Sequence, residues 1–217
     1  MSIERRYVTA TQTGIELRNN EDGTKTAVGY GSVYYASGDP GTQYALRDDL
    51  MERIMPGAFD EAIEGDARAL FNHNPNMILG RQSALTMRLS ADSHGLRYEI
   101  DLPDTTAGRD LAVSIQRGDV TGSSFGFTVA TGGQRYYKGT DGISVREISK
   151  IGQLYDVGPV TFPAYNSTSA ALRDDRTIDA ELAKIEAEMQ ADADAIAAAR
   201  HARDCRVRDI RVQEISE

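Results

Sequence analysis

The sequence predicts a mainly β domain of the barrel or sandwich kind with peripheral helices, an α+β protein, followed by a helical C-terminal tail. Three observations carry this prediction. Short runs of β-branched and aromatic residues alternate with turn-forming Gly, Asn and Asp as far as Tyr165. Only two segments in that stretch have helical spacing. After Ala171, Phe, Tyr and Gly disappear and Ala becomes dense, so the domain is expected over 1–172 and the tail over 173–217.

The elements follow in order. "RYVTATQTGIEL" and "TAVGYGSVYYA" read as strands of a hairpin about the turn "NNEDGT". "SGDPGTQYALRDD" is a loop. "LMERIMPGAFDEAIEG" reads as a short strand and then a helix, with Pro56 near its first turn and Gly65 past its end. "ARALFNHNP" is a strand that runs out at His73. "LTMRLSADSHGLRYEIDL" is a hairpin: Leu85, Met87 and Leu89 alternate, the chain turns at Asp92–Gly95, and Leu96, Tyr98 and Ile100 return. "AGRDLAVSIQRGD" is a helix, with Leu111 and Ile115 one turn apart and Gly118 as its C-cap. Two strand segments, "GSSFGFTVATGGQRYYKG" and "GISVREISKIGQLYDVGPVTFPAY", end the domain. In the tail, Thr177 suits an N-cap, and Ile178, Leu182, Ile185, Met189 and Ile196 form a heptad stripe that skips Asp192. Such a helix either packs on the domain or docks on a partner or its own copy, which leaves a homo-oligomer open.

Composition excludes several classes. A formal net charge of −9 argues against a broad nucleic-acid-binding face. Cys205 is the sole cysteine, so neither an internal disulfide nor a Cys-rich zinc site can form, in keeping with a reducing compartment. No stretch has the apolar length of a membrane span, and the first residues lack a signal-peptide core. A soluble intracellular protein with no metal or cofactor is expected.

The chemistry concentrates on few residues. His94 falls in a hairpin turn and His201 in the charged tail, whereas His73 stands at a strand end where a loop can present it. "GDVTGSSFGF" places Ser123 and Ser124 between glycines, in a strand where packing would favour bulk. A serine becomes a nucleophile when a base takes its proton and a third group holds that base's tautomer. Asp156, an acid among Leu154, Val157 and Val160, is one candidate for that third group, and Glu147 is the other.

Four blocks, in this order, carry a resemblance: "RIMPGAFDEAI", "ALFNHNPNMILGR", "GLRYEIDLPDTTAGRDLAVSIQRGDVTGSSFGFTV" and "LYDVGPVTFPAYNST". Over residues 28–172 the chain resembles the prohead maturation serine proteases of tailed bacteriophages, relatives of the herpesvirus assemblins. The resemblance implies an assemblin-like β-barrel endopeptidase, packaged in the immature capsid within the host cytoplasm. There it removes the scaffolding segment of the major capsid protein, and then its own tail. It implies His73 as base, Ser124 rather than Ser123 as nucleophile, and Asp156 as the orienting acid. Two positions depart from the family: Asn74 stands where an aspartate often follows the histidine, and Gly158 where a serine is usual. Arg109 is a further candidate, for supporting an oxyanion loop. The alternative class is a non-enzymatic capsid-assembly or scaffolding protein that associates through the heptad tail.

Overall fold

Period-two alternation resolves into thirteen strands among the described residues, which in this computed structural model are 3–139, 141–162 and the helical tail positions 180, 183, 184 and 187. In chain order they are β1 (Glu4–Val8), β2 (Glu16–Asn19), β3 (Lys25–Val33), β4 (Tyr44–Arg47), β5 (Leu50–Ile54), β6 (Arg68–Leu70) and β7 (Ile78–Arg81). Then come β8 (Met87–Ala91), β9 (Gly95–Asp101), β10 (Gly122–Val129), β11 (Gln134–Lys138), β12 (Ser144–Ile148) and β13 (Ile151–Val160). Two α-helices accompany them, α1 (Ala10–Thr13) and α2 (Thr106–Arg117). The chain divides into two units, 1–173 and 174–217, and these strands all belong to the first. The heptad stripe of the tail lies outside the described residues.

The strands form three open sheets, ordered β1-β10-β13-β6-β7, β11-β12-β5-β4 and β2-β3-β9-β8. The fold is therefore mainly β, but no closed barrel is present among the described residues. The sheets share one core built from side chains of their faces. Phe125 and Phe127 of β10 stack at 4.8 Å, and Phe59 meets Phe125 edge-on at 5.5 Å. Tyr98, Leu96 and Ile100 of β9 and Val157 of β13 complete this fully buried centre. Register shifts within β3–β9 and β10–β13 sharpen the local twist, which suits face packing of short strands.

Several elements depart from the sequence expectation. The first strand segment is interrupted by α1, a single turn fixed by tertiary contact: buried Thr13 donates from its Oγ1 to the Tyr30 carbonyl at 3.0 Å. The helix expected after Pro56 is absent. Gly57 takes φ +85°, outside helical space, and the chain makes turns that bury Phe59 before a short 3-10 turn at Ala62–Glu64. Burying one large aromatic outweighs the local helix propensity there. Leu85 lies outside the hairpin strands, exposed and with φ +57°. By contrast α2 forms as its residues dictate, with Thr105 as N-cap, Leu111 and Ile115 buried and Gly118 as C-cap.

Charge is also buried. Glu52 of β5, fully inaccessible, accepts from Arg6 Nε at 2.5 Å and Arg6 Nη2 at 2.7 Å, and from Arg146 Nη1 of β12 at 2.7 Å. Arg146 also holds Glu4 at 2.6 and 2.8 Å. Burial works against the charge on Arg6, yet the facing Glu52 carboxylate keeps the guanidinium pKa above its ordinary value. This cluster pins β1 to the second sheet. Removing one partner would strand a buried charge, so it also fixes where β1 lies.

Candidate active site

The site grows from the order of three strands. β10 lies between β1 and β13, with Ser124 opposite Tyr7 on one side and Gly158 on the other. Asp156 of β13 pairs with Gly126 of β10 and, across its other edge, with Arg68 of β6. β6 runs directly into the turn Phe71–His73. Asp156 therefore sits on the strand between the one that carries Ser124 and the one that delivers His73. Alternation puts Ser124, Gly126 and Asp156 on a common face.

His73 reaches that face through unusual backbone. Asn72 and His73 both occupy the left-handed region, at φ 54° and 55°. Asparagine tolerates that region better than most residues. The Asn72 side chain also anchors the turn to the end of β13: its Oδ1 accepts from Thr161 N at 2.8 Å and its Nδ2 donates to Thr161 Oγ1 at 3.0 Å.

The imidazole then bridges two groups. Nε2 lies 2.5 Å from Ser124 Oγ, and Nδ1 makes a short contact with Asp156 Oδ2. Ser124 Oγ also stands 2.9 Å from the Arg6 carbonyl, so its single proton has two acceptors in reach. His73 and Asp156 keep 10% and 8% of their side chains exposed, while Ser124 is fully covered. Tyr7 stands edge-on to the imidazole at 6.0 Å.

Two glycines make the arrangement sterically possible. A Cβ on Gly126 would lie 2.5 Å from Asp156 Oδ1, and one on Gly158 would lie 2.7 Å from the Leu70 carbonyl, just before the histidine turn. Gly158 thus lets β13 approach the backbone that carries His73. Bulk is missing around the serine pair because the carboxylate needs the space.

The other candidates lie elsewhere. Glu147 on β12 accepts from Arg135 Nε at 2.6 Å and Tyr137 OH at 2.7 Å, in a different sheet from Ser124 and Asp156. Arg109 does not join the site: it is exposed on α2, paired with Asp104 at 2.6 Å, and lines a hollow with Asp22–Lys25. His94 is exposed and packs edge-on against Tyr30. Asn74 uses its Oδ1 on Asn76 N at 3.0 Å, as a turn residue with no bond to the imidazole. Ser123 faces away from His73, bonded to Thr13 and Tyr98. His201 lies outside the described residues. Residues of the site that sequence reasoning passed over are Arg6, Tyr7, Asn72 and Thr161. Only Asn72 left a signal, as an asparagine beside the histidine in a turn-rich segment.

The family model for the caudovirus prohead serine proteases matches residues 13–183. No curated protein matches the chain, and neither does any solved structure.

Proposed function

The chain belongs to the caudovirus prohead serine protease family, and we propose that it is an endopeptidase using Ser124, His73 and Asp156 on capsid and scaffold segments inside the immature shell. The observation that carries this reading is the imidazole held between a hydroxyl and a carboxylate, with Nε2 at 2.5 Å from Ser124 Oγ. A scaffolding role makes no demand that these three side chains meet.

The chemistry follows from the atoms. Ser124 Oγ attacks the scissile carbonyl carbon while His73 Nε2 takes its proton, giving a tetrahedral intermediate and an imidazolium. Asp156 accepts from Nδ1–H, fixes the tautomer that leaves Nε2 free as base, and stabilises the imidazolium. His73 then gives the proton to the departing amine as the C–N bond breaks, leaving an acyl ester on Ser124. Water, deprotonated by the same nitrogen, attacks the ester, and the proton returns to Oγ. Because Ser124 is covered, the groups around its hydroxyl must part when a peptide enters. The chain's own tail, beginning beyond 173, is a second substrate in this reading.

The test is co-expression with the capsid protein of the same phage, with mass spectrometry of the assembled particles. Processed capsid and tail fragments are expected. Ser124→Ala should assemble normally and leave both intact, since losing the nucleophile of a serine protease typically costs about 10⁶ in rate. Undiminished processing by that variant would overturn the assignment.

A further inference from the structure

Beside the imidazole lies a cleft of about 230 Å³ bounded by Tyr7, Asn72, His73, Val160, Thr161 and Phe162. Two of its polar members engage each other: Asn72 Oδ1 and Nδ2 bind Thr161 N and Oγ1 at 2.8 and 3.0 Å. Beside the His73 imidazole, the lining adds Tyr7, Val160 and the Phe162 ring. Phe162 is 79% exposed, a large apolar surface at the rim. Among the described residues the lining holds no carboxylate, ammonium or guanidinium group. A charged side chain entering here would lose hydration and find no partner, at substantial cost. An apolar one would cover the exposed ring and gain from its burial.

We propose that this cleft is the subsite for an uncharged, apolar side chain next to the scissile bond, with Phe162 as its specificity-determining wall. The proposal rests on the protease reading for its role, since His73 forms one wall of the cleft. A peptide lying against the imidazole brings the side chain flanking its reacting carbonyl to this position. Tyr7, held edge-on to His73, also lines the cleft. Val160 sets the depth from the buried end of β13.

The experiment uses the full chain and a set of peptides that differ only at the residues flanking one cleavable bond: Leu, Met, Phe, Asp, Glu, Lys or Arg. Ser124-dependent hydrolysis should favour the apolar set by at least about tenfold in kcat/KM, the discrimination a hydrophobic pocket ordinarily gives. Phe162→Ala, at an exposed position, should raise KM for those peptides by about tenfold with kcat little changed, because uniform binding is what it removes. In parallel, binding of the same peptides to Ser124→Ala is read by fluorescence anisotropy, which needs no chemistry. Apolar-selective binding that Phe162→Ala abolishes, without any hydrolysis by the parent chain, would sink the protease reading and keep the subsite. A preference for charged residues, or a selectivity that Phe162→Ala leaves unchanged, would overturn the subsite.

Discussion

On β10, Ser123 and Ser124 are neighbours in sequence and point to opposite faces of one sheet, and their surroundings assign their protons differently. Thr13 Oγ1 donates to the Tyr30 carbonyl at 3.0 Å, so its 2.6 Å contact with Ser123 requires Ser123 to donate. The 2.7 Å contact with Tyr98 OH is then a bond donated by Tyr98 to Ser123. Burial pushes the Tyr98 phenol pKa up, so it stays protonated. The protons on this face run from hydroxyl to hydroxyl and end on the Tyr30 carbonyl, with no base among them. On the other face the Ser124 proton is shared between the Arg6 carbonyl and His73 Nε2, and only the second can carry it away. A closed chain of hydroxyls gives rigidity, whereas an open one ending on a base gives chemistry. The two serines teach that environment, rather than residue type, makes the nucleophile.

The comparison can be broken from the catalytic face first. Asp156→Asn should preserve the fold while lowering kcat by about 10⁴, the usual consequence of presenting the wrong tautomer at such a histidine. Glu147→Gln, in another sheet, should leave kcat within severalfold. A pair of kcat measurements decides it, and a large loss only in the Glu147 variant would reassign the orienting acid. Gly126→Ala comes next. The new methyl would stand 2.5 Å from Asp156 Oδ1, and the carboxylate can yield only by moving off His73. Displacement of that order typically costs about 10²-fold in rate. Denaturant melts should show much less change than kcat does. Full activity in Gly126→Ala would mean that the carboxylate has slack and that the glycine serves only the bend.

Much of this arrangement could be read from the sequence, but unevenly. α2 was legible because the spacing of Leu111 and Ile115 and the terminal Gly118 agree on one answer. The segment after Pro56 was not, because Phe59 is drawn into a core built mostly by later residues. α1 was hidden for a similar reason: its anchor partners, Tyr30 and Ser123, are distant in sequence. In the site, strand-end placement singled out His73, and glycine flanks singled out the serine pair. Choosing Ser124 over Ser123 and Asp156 over Glu147 needed the family resemblance. Both acids sit in apolar strands, and nothing local says that β13 runs between β10 and β6 while β12 joins another sheet. Strand order is a long-range property, and composition carries no trace of it.

The smallest effects should come from the structural face, and they sharpen the comparison most. Ser123→Ala removes the 2.7 Å acceptor of the Tyr98 hydroxyl, leaving a fully buried donor poorly satisfied, with only Thr13 nearby. Such a group typically costs about 1–3 kcal/mol, so the denaturation midpoint should fall while kcat changes by no more than severalfold. Tyr98→Phe removes the other partner. Ser123 keeps its bond to Thr13, so this change should cost less, about 1 kcal/mol. In the double variant Ser123→Ala with Tyr98→Phe, no phenol is left to go unpaired. The combined loss should therefore fall below the sum of the two single losses, a coupling that equilibrium melts of the four proteins would read. Additive losses would mean that the hydroxyl chain does not act as a unit. A fall in kcat for Ser123→Ala matching that of a nucleophile variant would move the chemistry to the wrong face of β10 and end the distinction between the two serines.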